Sequence, residues 1–260
     1  MIIKKKIMYG MLATCLAMTL VACQGGTDDN KRTLNVSAAS SLMVPLQEAK
    51  REFEANHPDV ELILNFASSG NLREQITRGA PTDIFLSASV RDVDMIDEEG
   101  LVDDRYALYE NDLVVVMNAS RAFELNDIDD LTTSSFDQIA IGNPITVPAG
   151  RYAKQSLKNQ GVWADLEDRL LLAGNVRQAL TYVETNNVEA AIVYETDALA
   201  AESVEIVHEI DRSSFDSIIY PAAVLKRAEN QDIVDQFIEW IQQQEGRVLF
   251  ENAGFQSLND

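Results

Sequence analysis

Apolar residues along this chain switch repeatedly between two periods. Leu34 to Ala38 (LNVSA) is a short β-type run, followed by Leu42, Leu46, Ala49 and Phe53 at helical spacing. Val60 to Phe66 (VELILNF) alternates and then runs apolar, as a buried strand does. Leu72 and Ile76 predict a helix ending at Gly79, Asp83 to Leu86 (DIFL) a strand, and Ser89 to Glu99 a helix stopped by Gly100. Leu113 to Met117 (LVVVM) carries the strongest strand signal. A second series begins after Ile139-Ala140-Ile141. It predicts a helix over Ala149 to Asn159 and another marked by Val176, Ala179, Leu180 and Val183. Strands are predicted over Ala190 to Tyr194 (AAIVY) and Val204 to Ile210. Ile218 to Leu225 (IIYPAAVL) reads as a strand whose Pro221 argues for an edge or crossing position. Ile233, Phe237, Ile241 and then Val248 to Phe250 mark terminal helices. The alternation predicts an α/β fold with a mostly parallel sheet in each half.

The first thirty residues stand outside that pattern. Lys4, Lys5 and Lys6 form a basic n-region ahead of an apolar run from Ile7 to Val21, too short and too abruptly ended to favour a membrane span. The run closes in Leu20-Val21-Ala22-Cys23, which looks like a bacterial lipobox. Residues 1–22 are then a signal peptide, and Cys23 carries a lipid whose two acyl chains anchor the protein without a crossing helix. An ordinary secretory signal followed by an unrelated cysteine is the alternative. Residues 23–32 have the polar composition of a tether. The other cysteine, Cys15, falls inside the signal, so the mature domain is expected to hold neither thiol nor disulfide. Its stability must come from burial.

Charge sharpens the picture. The chain has 21 basic and 42 acidic side chains. Loss of the three signal lysines, with no acid among residues 1–22, leaves 18 against 42, a net charge of −24. Nucleic acid is an unfavourable partner for such a surface. Any anion must instead be held by local, oriented donors working against the overall field.

Three strand-to-helix junctions have a composition that could supply such donors. They are Ala38-Ala39-Ser40-Ser41-Leu42, Phe66-Ala67-Ser68-Ser69-Gly70-Asn71-Leu72, and Val147-Pro148-Ala149-Gly150-Arg151-Tyr152-Ala153. A serine at such a place is commonly a helix N-cap, which explains any one of them alone. Several helix N-termini converging on one point build an anion site, because each offers unpaired N–H groups and a partial positive charge. Small residues let a ligand reach the backbone.

The ordered set AASSL (38–42), FASSGNLREQITRGAPTDIFLSAS (66–89), NDLVVV (111–116), GNPITVPAGRYAKQSL (142–157), NVRQALTYVE (175–184) and AIVYETDA (191–198) resembles the periplasmic molybdate-binding proteins of ABC importers over nearly all of the mature chain. The resemblance implies a two-lobed type II periplasmic-binding fold with two crossing hinge strands. Lobe I would combine roughly 33–112 with 217–260, and lobe II would be roughly 113–216. It also implies an oxyanion held without a metal cation or salt bridge. Ser41 matches the first ligand serine and Ser69 the second, with Ser40 and Ser68 as the register alternatives. Ala149 and Val176 would give backbone N–H groups, and Tyr194 its phenol hydroxyl. Two departures stand out: Ser40 replaces a common alanine, and Gly70 stands where a third serine is common.

That donor set suits the ligand. A fully ionised tetrahedral dianion offers acceptors only, and hydroxyls with N–H groups can satisfy it. Phosphate keeps a proton near neutral pH and would need an acceptor, which Ser41, Ser69, Ala149, Val176 and Tyr194 do not include. Sulfate makes the same demands as molybdate or tungstate and is smaller, so it remains the alternative ligand. Arg73, Arg78, Arg151 and Arg177 are expected on helix surfaces, solvent-facing or ion-paired, and Asp83 is expected to tie a loop at a strand start. His57 and His208 lie far from the motifs, and with no thiol partner a zinc site is not expected. A nucleophilic-serine enzyme lacks both a GxSxG elbow and a nearby histidine. The expected protein is a non-enzymatic, cofactor-free, monomeric binding lipoprotein on the extracytoplasmic side, partnered by the permease subunits of an ABC importer.

Overall fold

The computed structural model describes residues 31–258. The expected signal peptide, Cys23 and the tether up to residue 30 lie outside the described residues. Arg32, expected at the tether's end, is instead the first residue of strand β1 (Arg32–Ala39) and pairs with Asp59 and Asp232 at 2.8 and 2.6 Å.

Two sheets form two lobes. The first contains β1, β2 (Val60–Ala67), β3 (Ile84–Leu86) and β4 (Val102–Asn111). The second contains β5 (Leu113–Asn118), β6 (Ile139–Gly142), β7 (Leu170–Ala173), β8 (Ala190–Tyr194) and β9 (Val204–Glu209), in the order β7-β6-β8-β5-β9. The chain then returns to the first sheet as β10 (Ile218–Leu225) and β11 (Gln256–Ser257), completing the order β11-β4-β10-β3-β1-β2. It crosses between the lobes at Asn111–Leu113 and again between Glu209 and Ile218.

The sheets are mixed rather than mostly parallel. β1 runs parallel to β2 and β3, and β6 parallel to β7 and β8. β10 is antiparallel to β3 and β4, and β5 is antiparallel to β8 and β9. The reason is the crossings: β5 and β10 enter their sheets from the opposite lobe, so they oppose strands joined by helical crossovers. Pro221 also lies away from an edge, since β10 sits between β4 and β3. A register shift against β4 falls at Tyr220/Pro221, the kind of irregularity at which a sheet accommodates a proline.

Helices α1 (Met43–Asn56), α2 (Ser69–Thr77) and α3 (Val90–Glu98) cover the first sheet. α4 (Pro148–Asn159), α5 (Trp163–Leu166), α6 (Val176–Glu184) and α7 (Glu195–Leu199) belong to the second lobe. α8 (Gln231–Gln242) and α9 (Gln244–Asn252) return to the first. Phe237 of α8 meets Phe53 of α1 edge-on, ring centroids 5.1 Å apart, with both side chains fully buried. Truncating Phe53 to alanine would cost about 3–5 kcal/mol and loosen the C-terminal segment from the lobe. Asp83 ties its loop as expected: its Oδ2 accepts from the Asn35 backbone N–H at 2.7 Å and from the Asn35 amide at 3.0 Å.

Candidate functional site

Ser41, Ser69, Ala149, Val176 and Tyr194 are all buried, none more than 6% exposed. They line a seam where the two lobes touch. Ser41 lies in the 3-10 turn Ser40–Leu42 after β1, and α6 of the second lobe, which begins at Val176, packs against that turn. Ser69 opens α2, whose Gly70 N–H donates to the Thr146 carbonyl, just ahead of α4, at 3.0 Å. Tyr194 ends β8, and its ring meets that of Tyr220 edge-on at 5.7 Å. Tyr220 in turn holds the Ser41 hydroxyl at 2.9 Å.

The helix starts explain why these residues have N–H groups to spare. Ser68 is the cap of α2, its hydroxyl accepting from Asn71 N–H at 3.4 Å, so the Ser69 hydroxyl is not needed for capping. Asn175 caps α6 in the same way through Gln178 N–H. The Val176 N–H, at the first helical position, has no intrahelical acceptor. α4 begins with Pro148, which has no N–H, after Val147, which caps nothing, so the first free donor of that helix is Ala149. α4 gets this close to β6 because Gly150 lies against Gly142: a Cβ at Gly150 would sit 1.8 Å from the Gly142 carbonyl oxygen.

The hydroxyls are arranged as donors. Ser69 Oγ accepts from the Ala88 N–H at 3.0 Å, which leaves its proton to point elsewhere. The Tyr194 hydroxyl is buried without a hydrogen-bond partner among the described residues. Burial raises its pKa well above the ordinary value, with Tyr220 adding to the shift, so it keeps its proton. An unsatisfied buried hydroxyl costs about 1–3 kcal/mol, and an acceptor placed against it would recover that.

The arginines singled out in the sequence each face a carboxylate. Asp92, buried in α3, takes Arg73 of its own lobe at 3.2 Å and Arg151 of the other lobe. Arg177 lies 3.7 Å from the buried carboxylate of Asp197, and the exposed Arg78 pairs with Glu74 at 3.2 Å. All four arginines are therefore ion-paired, as expected. Asp197 lies in the AIVYETDA run, but its buried state is not readable from the sequence. Neither of its oxygens has a hydrogen bond among the described residues, and desolvation lifts its pKa from 3.8 to about 7 despite the opposing pull of Arg177. Ala88, Asn111 and Thr196 fall inside the quoted motifs without being singled out as site residues. Tyr220 lies outside those motifs and reaches Ser41 from 179 residues away.

Comparisons with known proteins bear on the family and the fold. The model of the family "Bacterial extracellular solute-binding protein" matches residues 34–256. The Bacillus subtilis protein YvgL, described provisionally as an ABC transporter substrate-binding lipoprotein, is 35% identical over 94% of this chain and 96% of its own. The molybdate-binding protein ModA of Escherichia coli is 34% identical over 90% of this chain and 92% of its own. Among solved structures, the periplasmic molybdate-binding protein of Azotobacter vinelandii superposes with a TM-score of 0.78 over 85% of this chain and 98% of its own, at 22% identity. That last likeness concerns the fold. The family model, matching this two-lobed α/β chain from β1 to β11, places it in the bacterial extracellular solute-binding protein family.

Proposed function

We propose that this protein is the substrate-binding component of an ABC importer and encloses molybdate or tungstate between its lobes. The observation that carries the reading is the hydroxyl of Tyr194: protonated, buried and unpartnered among the described residues, at a seam where Ser41 and Ser69 come from the facing lobe. Ser41, Ser69 and Tyr194 would donate O–H groups, and Ala149 and Val176 would donate N–H groups, to the oxygens of a dianion that can only accept. Because each lobe supplies part of the set, ligand binding favours the closed form. The similarity to ModA supports molybdate as the ligand. No covalent step or cofactor enters the scheme. Molybdenum is cargo, contacted through its oxygens.

Calorimetric titration of the soluble domain with molybdate, tungstate, sulfate and phosphate tests this. Tight binding of molybdate and tungstate with no heat from phosphate is expected; a preference for sulfate would reassign the ligand, and silence with molybdate would refute the reading. Cys23 is proposed as the lipid site that keeps the protein, as a monomer, at the extracytoplasmic membrane face beside its permease. Lipid labelling that persists in Cys23→Ser would contradict that assignment.

A further inference from the structure

We infer that a basic groove beside the seam is an outer collecting site for dianions, which steers them into the cleft against the field of the whole protein. The inference rests on the oxyanion reading above and adds a route of entry, with residues that reading does not use.

The groove follows from the spacing along one helix. Arg151, Lys154 and Lys158 stand at i, i+3 and i+7 of α4, so they share a face, while Ala153, Ser156 and Leu157 are buried on the other. Arg91, in the first turn of α3 on the first lobe, lines the same groove of about 650 Å³. Both lobes thus contribute cations. Asp216, on the returning crossing, is the only carboxylate among the described residues that line it.

Cations elsewhere in the domain are mostly neutralised where they stand. Arg105 and Arg212 pair with carboxylates, and Arg169, Lys226 and Arg227 donate to backbone carbonyls. Arg91 and Lys158, both exposed, have neither kind of partner among the described residues. Lys154 lies over the Trp163 ring at 4.5 Å, a contact that leaves its charge uncancelled.

The groove adjoins the buried donors. Its inner wall includes Arg151 and Tyr152, in the same first turns of α4 as Ala149, and Arg151 reaches Asp92 of the facing lobe. The raised pKa of the Tyr194 hydroxyl, due first to burial and then to Tyr220, is also pushed up by Tyr152 and pulled down by Arg151. A dianion collected in the groove therefore lies next to the seam. Its approach needs local help, because 18 basic against 42 acidic side chains repel it at long range. Salt at physiological strength screens that field over about 8 Å, so close to the groove Arg91, Lys154 and Lys158 set the sign.

The test is the salt dependence of molybdate association, read by stopped flow on the full chain in non-ionic detergent. Wild type should associate more slowly as salt rises, because attraction is being screened; an acidic protein without a steering groove does the reverse. Arg91→Gln/Lys154→Gln/Lys158→Gln should associate about tenfold more slowly at low salt, lose or reverse the salt slope, and keep the wild-type dissociation rate. Arg51→Gln/Arg78→Gln/Arg121→Gln removes the same charge from exposed positions elsewhere and should keep the wild-type slope. Asp216→Asn should associate faster than wild type. Arg91→Gln/Lys158→Gln, which leaves Lys154 against Trp163, should slow association in the same direction and serves if the triple variant fails to fold. A wild-type rate that is flat or rises with salt, with molybdate still bound, would overturn the groove alone. Equal slowing in the two triple variants would also overturn it. A wild type that ignores molybdate would remove both the groove and the oxyanion reading.

Discussion

Gly70 of the first lobe donates its N–H to the Thr146 carbonyl of the second at 3.0 Å, and a Cβ at Gly70 would lie 2.6 Å from that same oxygen. The position where relatives of this motif commonly carry a serine is thus one where this chain tolerates no side chain while its lobes are together. Gly70 has no positive φ, so alanine fits the backbone and, inside α2, is favoured over glycine by about 0.8–1.0 kcal/mol. Gly70→Ala should therefore leave the ligand-free thermal midpoint level or slightly raised. The stabilisation by saturating molybdate should shrink to a small fraction of the wild-type shift. Differential scanning calorimetry with and without ligand reads both quantities; a full ligand-induced shift in the variant would show that the approach to Thr146 is not part of closure.

The ion pair from Arg151 to Asp92 is a second bond across the seam, and it is buried: the side chains are 16% and 3% exposed. Removing Arg151 leaves Asp92 with Arg73 on its own lobe, so the first lobe remains intact while closure loses a contact. Arg151→Met, which keeps the stem packing, should raise the molybdate dissociation rate about tenfold, equivalent to about 1.4 kcal/mol of closure. Arg78→Met removes an exposed pair with Glu74, 79% exposed on the arginine side, and should change nothing measurable. Stopped-flow dissociation distinguishes the two; equal rates in both variants would remove the Asp92 pair from the closing mechanism.

Asp197 predicts a pH dependence of stability. Its folded pKa, raised by desolvation to about 7, lies above its ordinary 3.8, so between those values the folded protein binds more protons than the unfolded chain. The contribution is fully present below pH ~4, declines as pH rises, and is lost above pH ~7, with a slope near 1.4 kcal/mol per pH unit in between at most. Asp197→Asn cannot titrate. Thermal midpoints of wild type relative to the variant should fall steadily from pH 4 to pH 7 and then level off. Parallel curves across that range would show that Asp197 titrates no differently in the folded and unfolded states.

Much of this fold is legible in the sequence because it is local. Ser68, Asn175 and Pro148 announce helix starts within four residues of themselves, and Gly79 and Gly100 end α2 and α3 with φ of +92° and +73°. The run AAIVY is β8 residue for residue. β4 gives no such signal because its first half, Val102-Asp103-Asp104-Arg105, is charged and largely solvent-facing, so neither strand period shows there. Sheet direction departs from the expectation because it depends on which strand follows a crossing, a property of topology that periodicity does not carry. The same limit hides Tyr220. Its hydroxyl meets Ser41 across 179 residues, whereas serine-rich junctions advertise themselves in place. Asp197 reads as an ordinary carboxylate because only the folded arrangement strips water from it.

Crystals grown with molybdate and measured at the molybdenum absorption edge test the central claim most directly. One anomalous peak is expected at the seam, with its oxygens about 2.7–3.1 Å from the hydroxyls of Ser41, Ser69 and Tyr194 and the N–H groups of Ala149 and Val176. A peak elsewhere, or one contacted by donors from a single lobe, would contradict the account.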